Sequence, residues 1–447
     1  MANNTSSFVC AVMGISTIKD SDDLFVNAKV KGTIKTGTEF NIFNFNEIKQ
    51  KQTKSTVVSL EIQNNPILIV TDSNVKIRVK DGKNLNLRIG TVLFTDDILI
   101  KDIEAAYVNA IGDYYISEKQ FTLNDEDLEK MSMTDMAEAW RLLIYFVTKN
   151  KELQSEENSK IWRGKLDKLA HCLCDRILNS EEIYVVFDKR TDEPHLFSKT
   201  LEFPNKKVAI SPPDILIITT PYLKKYNENN TNENLEVRRI ANNEDKTAIR
   251  DFLGGVFYFN GAIGVEVVYD NVAINNQMLV APPDFKNVPK QNIPVMNPDV
   301  MRFILLIGQL SEAETEESKK KFALYYDFLF REIKKANFLI PVKNDGNLPK
   351  PDKDGKITLE KGMGFRLAFS KGKSDKGAVK MFTDWKRFRM EFDDSWGALV
   401  QPVSAMIENH DCVINQCKFQ GLGCYITKEM YDNAIAKENL NEKNSDK

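Results

Sequence analysis

The feature that most restricts the fold of this 447-residue chain is an order of segments that occurs twice. In the first copy, apolar residues at helical spacing (Met136, Trp140, Leu143, Val147) are followed by a second helical stripe from Trp162 to Leu178, then by a strand, Ile183 to Asp188. The second copy opens at Asn297-Pro298-Asp299, a helix start with proline in the first turn. Its first helix carries Phe303 and Leu306. Ser311 and Glu314 read as a capping box for the next helix, which bears Phe322, Tyr326, Leu329 and Ile333, and the strand Phe338 to Val342 follows. The later halves correspond through Asp251-Phe252-Leu253-Gly254 with Val272-Ala273-Ile274-Asn275, and Asp394-Ser395-Trp396-Gly397 with Cys412-Val413-Ile414-Asn415. A period this long excludes a solenoid and predicts two tandem α+β domains.

The segment before the repeat has a different rhythm. Val58, Leu60 and Ile62 alternate with Ser59 and Glu61, Val75, Ile77 and Val79 alternate with Lys76 and Arg78, and Leu85, Leu87 and Ile89 continue the pattern. Period two predicts half-buried strands, and Asp81-Gly82 is a hairpin dipeptide. Many short strands with regular turns argue for a small closed barrel. Within it, Gly32-Thr33-Ile34-Lys35-Thr36-Gly37-Thr38-Glu39 begins like a phosphate-binding loop, but Thr38 and Glu39 stand where lysine and Ser/Thr are needed, and strand-like residues follow. The glycines read as turn positions, Gly32 for close backbone passage and Gly37 for positive φ. No nucleotide is expected there.

The pattern Val30-Lys31-Gly32-Thr33-Ile34-Lys35-Thr36-Gly37, with Ile89-Gly90-Thr91-Val92-Leu93 later, resembles the β-barrel that forms the second domain of elongation factor Tu and other translational GTPases, over about residues 7 to 95. The resemblance implies a barrel that, in those proteins, follows a GTPase domain and contacts the aminoacyl end of tRNA or the ribosome. Here it is expected to be detached from such a domain. The second copy, through Phe338 to Val342, Val379 to Trp385 and the Val413-Ile414-Asn415 strand, resembles the SseB protein N-terminal domain, over about residues 298 to 435. The first copy resembles it more weakly through Ile183 to Phe187 and His195 to Ser198, with an Asn-rich insertion from Asn227 to Asn243. That family brings no agreed catalytic residues.

The expected organisation is therefore multidomain: an all-β small barrel over residues 1–96, a helical connector over 97–132 carrying Ile103, Tyr107 and Ala110, two tandem SseB-like α+β domains over 133–296 and 297–437, and a disordered charged tail over 438–447. An apolar fraction of 42% supports buried cores. A net charge of −3 gives no global argument for a nucleic-acid or anionic-membrane partner. Six cysteines in so long a chain suit a reducing compartment, and the first residues lack a basic signal-peptide region, so a cytoplasmic protein is expected, and the SseB resemblance implies a bacterial one.

Candidate chemistry is sparse. Three histidines are present, and His195 with Ser198 would face opposite sides of a strand. His410, Cys412, Cys417 and Cys424 supply enough ligands for zinc but lack paired knuckles, while Cys172 and Cys174 diverge on a helix. No cofactor and no catalytic residue is assigned. The densest positive charge is Lys386, Arg387 and Arg389, with Lys380 nearby, interleaved with Phe382, Trp385 and Phe388. This is the candidate interaction patch, set against a solvated face over an aromatic core. The expectation is a non-enzymatic binding or adaptor protein with a protein partner. The alternatives are an RNA- or ribosome-associated factor and an enzyme with a site between the repeats.

Overall fold

The computed structural model describes residues 6–45, 53–116, 124–202, 208–267, 272–289, 292–310, 315–344, 364–371 and 377–445. Its contacts divide the chain into two units, the first made of 1–177, 218–229 and 267–272, the second of 178–217, 230–266 and 273–447.

The first unit opens with β1 (Ser7–Thr17), β2 (Leu24–Lys29), β3 (Lys31–Lys35), β4 (Glu39–Phe43), β5 (Thr53–Ile62), β6 (Asn65–Ile67), β7 (Ile69–Thr71), β8 (Asn74–Val79) and β9 (Val92–Phe94). Antiparallel pairing runs β1-β2-β8-β5-β4-β9 and back to β1, so six strands close into a barrel. Alternate inward residues fill it, among them Phe8, Val12, Val26, Ile34, Phe40, Leu60 and Ile77. The glycine-bearing segment runs strand to strand, from β3 through a turn into β4. A Cβ on Gly32 would sit 2.3 Å from the Ser7 carbonyl oxygen, and Gly37 has φ +85° with open space around it. Close passage and positive φ are the two roles expected of them.

Two readings within the barrel need correction. Leu85, Leu87 and Ile89 do not form a strand: Asp81 takes a left-handed conformation, a single 3-10 turn covers Gly82–Asn84, and Leu85 and Leu87 pack against the barrel core from a loop. In β5 the inward residues are Val57 and Leu60, because the register with β8 shifts between Val57 and Ser59. That bulge changes the phase of the alternation.

The connector is α1 (Ile100–Tyr115), which buries Ile103, Tyr107, Ala110 and Ile111, followed by α2 (Asp125–Lys130), whose N-cap is Asn124. Then come α3 (Met133–Lys149), opened by a Ser132–Asp135 capping box, and α4 (Glu156–Asn179). The expected faces bury Met136, Leu143, Val147, Leu169, Leu173 and Ile177. α5 (Thr220–Asn229) also belongs to this unit.

The strands beyond β9 form four sheets, of six, two, three and four strands. In the first copy the elements are β10 (Glu182–Asp188), β11 (Glu193–Pro194), the hairpin β12 (Thr200–Glu202) and β13 (Val208–Ile210), β14 (Asp214–Ile218), β15 (Leu235–Ala241), α6 (Ala248–Tyr258), β16 (Gly264–Val267), β17 (Val272–Asn275) and α7 (Asn276–Leu279). In the second copy they are α8 (Pro298–Gly308), α9 (Glu316–Lys335), β18 (Phe338–Asn344), β19 (Phe365–Leu367), β20 (Phe369–Ser370), β21 (Ala378–Met381), α10 (Trp385–Arg389), β22 (Gly397–Gln401), β23 (Asp411–Ile414), β24 (Cys424–Ile426) and α11 (Lys428–Ser445). The first sheet runs β11-β10-β14-β16-β17, with β15 antiparallel to β10. In the second copy β19-β18-β22 and β20-β21-β23-β24 are joined where Leu339 and Phe382 exchange backbone hydrogen bonds. The order is therefore β19-β18-β21-β23-β24, with β22 antiparallel to β18. In both copies the strand after the helices, β10 or β18, is paired antiparallel along its length with a later strand, β15 or β22.

Strand order also corrects the landmarks. Val272 to Asn275 is the edge strand β17, whereas Cys412 to Ile414 lies in β23, flanked on both sides; the counterpart of β23 is β16. Asp251 to Gly254 lies inside α6, while Asp394 to Gly397 is the turn entering β22. The Asn-rich stretch from Asn227 contains β15, which pairs antiparallel with β10. Ser311 and Glu314 fall outside the described residues, and Thr315 caps α9 by accepting from the Ser318 amide. The tail expected to be disordered from 438 continues as α11 to Ser445, in keeping with the helix-forming Glu, Leu and Lys in it.

Candidate functional site

Helix α10 is one and a half turns long and begins where β21 leaves its sheet. Asp384 caps it, its Oδ1 accepting from the Arg387 amide at 3.0 Å, and that i, i+3 spacing brings the Arg387 guanidinium back onto the same carboxylate, Nη1 to Oδ2 at 2.8 Å. Arg387 is 2% exposed. Its Nη2 reaches Glu193 Oε1 at 3.0 Å and Asn260 Oδ1 at 2.5 Å, and Asn260 donates to the other Glu193 oxygen at 2.9 Å. Lys386 Nζ lies 2.8 Å from Glu193 Oε1. The Thr383 hydroxyl donates to Asp384 at 2.7 Å and accepts from the Asn415 side-chain amide at 3.0 Å, while the Thr383 backbone amide donates to Asn415 Oδ1. Two cations and two carboxylates thus form a neutral network on the border of the two sheets.

This placement revises the candidate interaction patch. Arg387 points inward and is enclosed. Lys380 is 2.5 Å from Glu391 and packs over Phe392. Lys386 keeps half its side chain exposed but is ion-paired. Arg389 donates to the Asp393 carbonyl, lies 3.6 Å from Asp394 and stacks at 5.2 Å over Trp385 and Phe388. The aromatic half of the stretch is core: Phe382 and Phe388 are fully buried and meet edge-on with centroids 5.5 Å apart.

A second polar knot links the same two copies. Asp188, fully buried at the end of β10, accepts from Arg190 Nε at 3.0 Å and Nη2 at 2.6 Å, and His195 Nδ1 is 3.6 Å away. Burial alone would push the Asp188 carboxyl up, but the His195 and Arg190 contacts outweigh it and hold the group at about 2. Arg190 also donates to the carbonyls of Gln309 and Leu310 at the end of α8, both at 2.7 Å. Gln309 accepts from the Leu196 amide at 2.9 Å and donates to the Pro194 carbonyl at 3.0 Å. Ser198, once paired with His195 as a candidate, donates to the Ser211 carbonyl at 2.8 Å instead. Neither Glu193, Asn260 nor Gln309 was marked by sequence, since each has a partner more than a hundred residues away. Only the Asp384–Arg387 spacing was visible.

In the first unit Asp135 plays a comparable part. It is 1% exposed and accepts from Tyr107 Oη, Ser132 Oγ and Arg88, while Glu138 one turn on accepts from Arg141 and from Tyr222. Burial, with Asp135 beside it, raises the Tyr107 phenol well above its ordinary value.

The thiols of Cys10, Cys174 and Cys412 are buried, and those of Cys172, Cys417 and Cys424 are half-buried. Burial pushes Cys10, Cys412 and Cys424 up to about 12. His410 lies against the Phe369 ring at 5.1 Å, and Cys417 faces the Phe419 carbonyl. Among the described residues, no three ligating side chains converge on a metal position.

A concave feature lies elsewhere in the second unit. Between α9 and α11 is a groove of about 450 Å³ whose walls include Phe322, Tyr326, Phe330 and Tyr431. The first three recur every four residues on α9, with consecutive centroids 6.0 and 4.7 Å apart. Phe322 is 43% exposed. At the rim Lys437 bridges both oxygens of Asp327, at 2.8 and 2.5 Å.

No family model matches the chain, and no curated protein matches it. Among solved structures, the apo form of translation elongation factor SelB from Methanococcus maripaludis is similar to it, with 17% identity over 22% of this chain and a TM-score of 0.18. The match spans 20% of that chain, so this protein covers about a fifth of its length. The closed six-stranded antiparallel barrel itself fits a translation-factor-like barrel. Among the described residues, no helix is long and apolar enough to cross a membrane.

Proposed function

We propose that this is a non-enzymatic, cytoplasmic bacterial binding or adaptor protein whose partner is another protein, built from a translation-factor-like barrel and two SseB-like α+β domains. The observation that carries this reading is the aromatic groove between α9 and α11, where an exposed phenylalanine continues a row of rings along a helix. Such a row supplies contact area at low entropy cost and is typical of recognition surfaces. The charge pattern supports a protein over RNA. Lys380, Lys386 and Arg387 each face a carboxylate, and Arg387 is enclosed, so few phosphates could be neutralised there.

Affinity purification from the native cell, with and without ribonuclease, tests the proposal. A protein recovered equally in both preparations, and lost with Phe322→Ser, is the expected result. Recovery that disappears on ribonuclease treatment would move the reading to the RNA-associated alternative.

A further inference from the structure

We propose that the groove between α9 and α11 is a receptor for a lysine side chain of the partner protein, and that Lys437 occupies it in the partner's absence. The proposal rests on the protein-binding reading and names the chemistry of the contact. Four aromatic side chains, Phe322, Tyr326, Phe330 and Tyr431, wall the groove, and the Asp327 carboxylate stands at its rim. Ring faces attract an alkylammonium through their quadrupole, the methylene stem packs on the rings, and a carboxylate at the end fixes the charge. Lys437 already shows the polar half of this recognition, with its Nζ bridging both Asp327 oxygens.

The other cation near the groove does not oppose this. Arg331 is also on its wall, but its guanidinium lies 5.3 Å over the ring of Phe328. Phe328 stacks on Phe303 of α8, on the other side of α9 from the groove. Among the described residues that wall the groove, the remaining charges are Asp327 and Lys437, and they pair with each other. With 59% of the Lys437 side chain exposed and 34% of Asp327, this pair is the solvent-screened kind that exchanges easily. An incoming lysine would trade one ammonium for another at Asp327 and gain burial of its stem against the rings. The volume of about 450 Å³ is larger than one side chain, leaving room for the partner's flanking residues.

Two capped pentapeptides, Gly-Leu-Lys-Leu-Gly and the same sequence with norleucine for lysine, are titrated into the full chain, with butylammonium as a third probe. Aromatic NMR resonances of Phe322 and Tyr326 report binding. The lysine peptide is expected to bind at least about tenfold more tightly than the norleucine peptide. Asp327→Asn should remove that preference. Lys437→Ala, which deletes the resident competitor and touches no core residue, should tighten lysine binding severalfold. Equal binding of the two peptides would overturn the proposal and leave a plain apolar groove. So would no gain from Lys437→Ala, or butylammonium binding as tightly as the lysine peptide, which would make this a small-cation site. A captured partner whose binding ignores Asp327 would overturn this assignment while leaving the adaptor reading intact.

Discussion

Arg387 shows how much a single side chain's meaning depends on its surroundings. In sequence it is the middle of three cations within four residues; in the fold it is a buried ion with two carboxylates and an amide around it. Removing one member of a buried, hydrogen-bonded ion network leaves the others desolvated and unpaired, so Arg387→Ala should cost about 3–5 kcal/mol of stability. Arg389→Ala, at an exposed position, should stay within about 0.5 kcal/mol. Denaturant unfolding of the two variants checks the contrast; equal effects would mean that Arg387 is solvated after all. The carboxylates make a second, pH-resolved prediction. Asp188 is held at about 2 against an ordinary 3.8, so its contribution is complete above about pH 4 and is lost as pH falls towards 2. Asp214 has the opposite sign: burial raises it to about 6, so it favours the fold when protonated and opposes it as pH rises from 4 through 6. Asp214→Asn should therefore stabilise the protein at pH 7 and leave it unchanged at pH 3.5, whereas Asp188→Asn should destabilise at pH 7 and flatten the acid limb. Thermal melts across pH 2–8 would show both.

Elements were legible where the determinant was local. The glycines of the β3–β4 turn are the clearest instance, because each has a backbone reason that neighbouring residues reveal. Gly32→Ala would drive a Cβ into the Ser7 carbonyl at φ +91° and should cost about 3 kcal/mol or more, while Gly37→Ala, with open space around it, should cost only about 1 kcal/mol of backbone strain. Comparable losses would show that both act through φ alone. The same turn leads into a strand and carries Glu39 in place of a phosphate ligand, so calorimetry with GTP or ATP and magnesium should show no binding that depends on Thr38 or Glu39. The helical stripes were readable in part: Met136, Leu143, Val147, Leu169, Leu173 and Ile177 are buried, while Trp140, Trp162 and Leu166 stay half-buried. What failed was set by distant pairing. The bulge at Val57–Ser59 exists only against β8, and Leu85 to Ile89 keeps an alternating pattern while packing as a loop across the barrel end. Ile-Asn closes an edge strand in one sheet and an inner strand in the other, so the dipeptide matched while the position did not. The candidate site suffered most, because one of its two acids, Glu193, and its amide, Asn260, lie more than a hundred residues before the arginine they surround.

At the scale of the second unit, the strands of the two copies are fastened to each other by polar side chains rather than left as beads on a string. Glu193 and Asn260 from the first sheet enclose Arg387 of the second, and Arg190 and Gln309 tie the end of α8 to the loop after β10. Four groups of hydrogen bonds with high sequence separation, all buried or half-buried, resist opening of either sheet alone. The copies should then unfold as a single cooperative block. Native-state hydrogen exchange of the full chain reads this directly. In the wild type, the slowest amides of β10 and β21 should exchange with the same opening free energy. Glu193→Gln keeps the shape of the side chain but removes one of the two charges balancing Arg387, and should lower protection in both strands together by about 3 kcal/mol. If β10 alone lost protection while β21 kept its original value, the two sheets would be independent domains, and the network around Arg387 would be a local cap on α10 with no role in joining them.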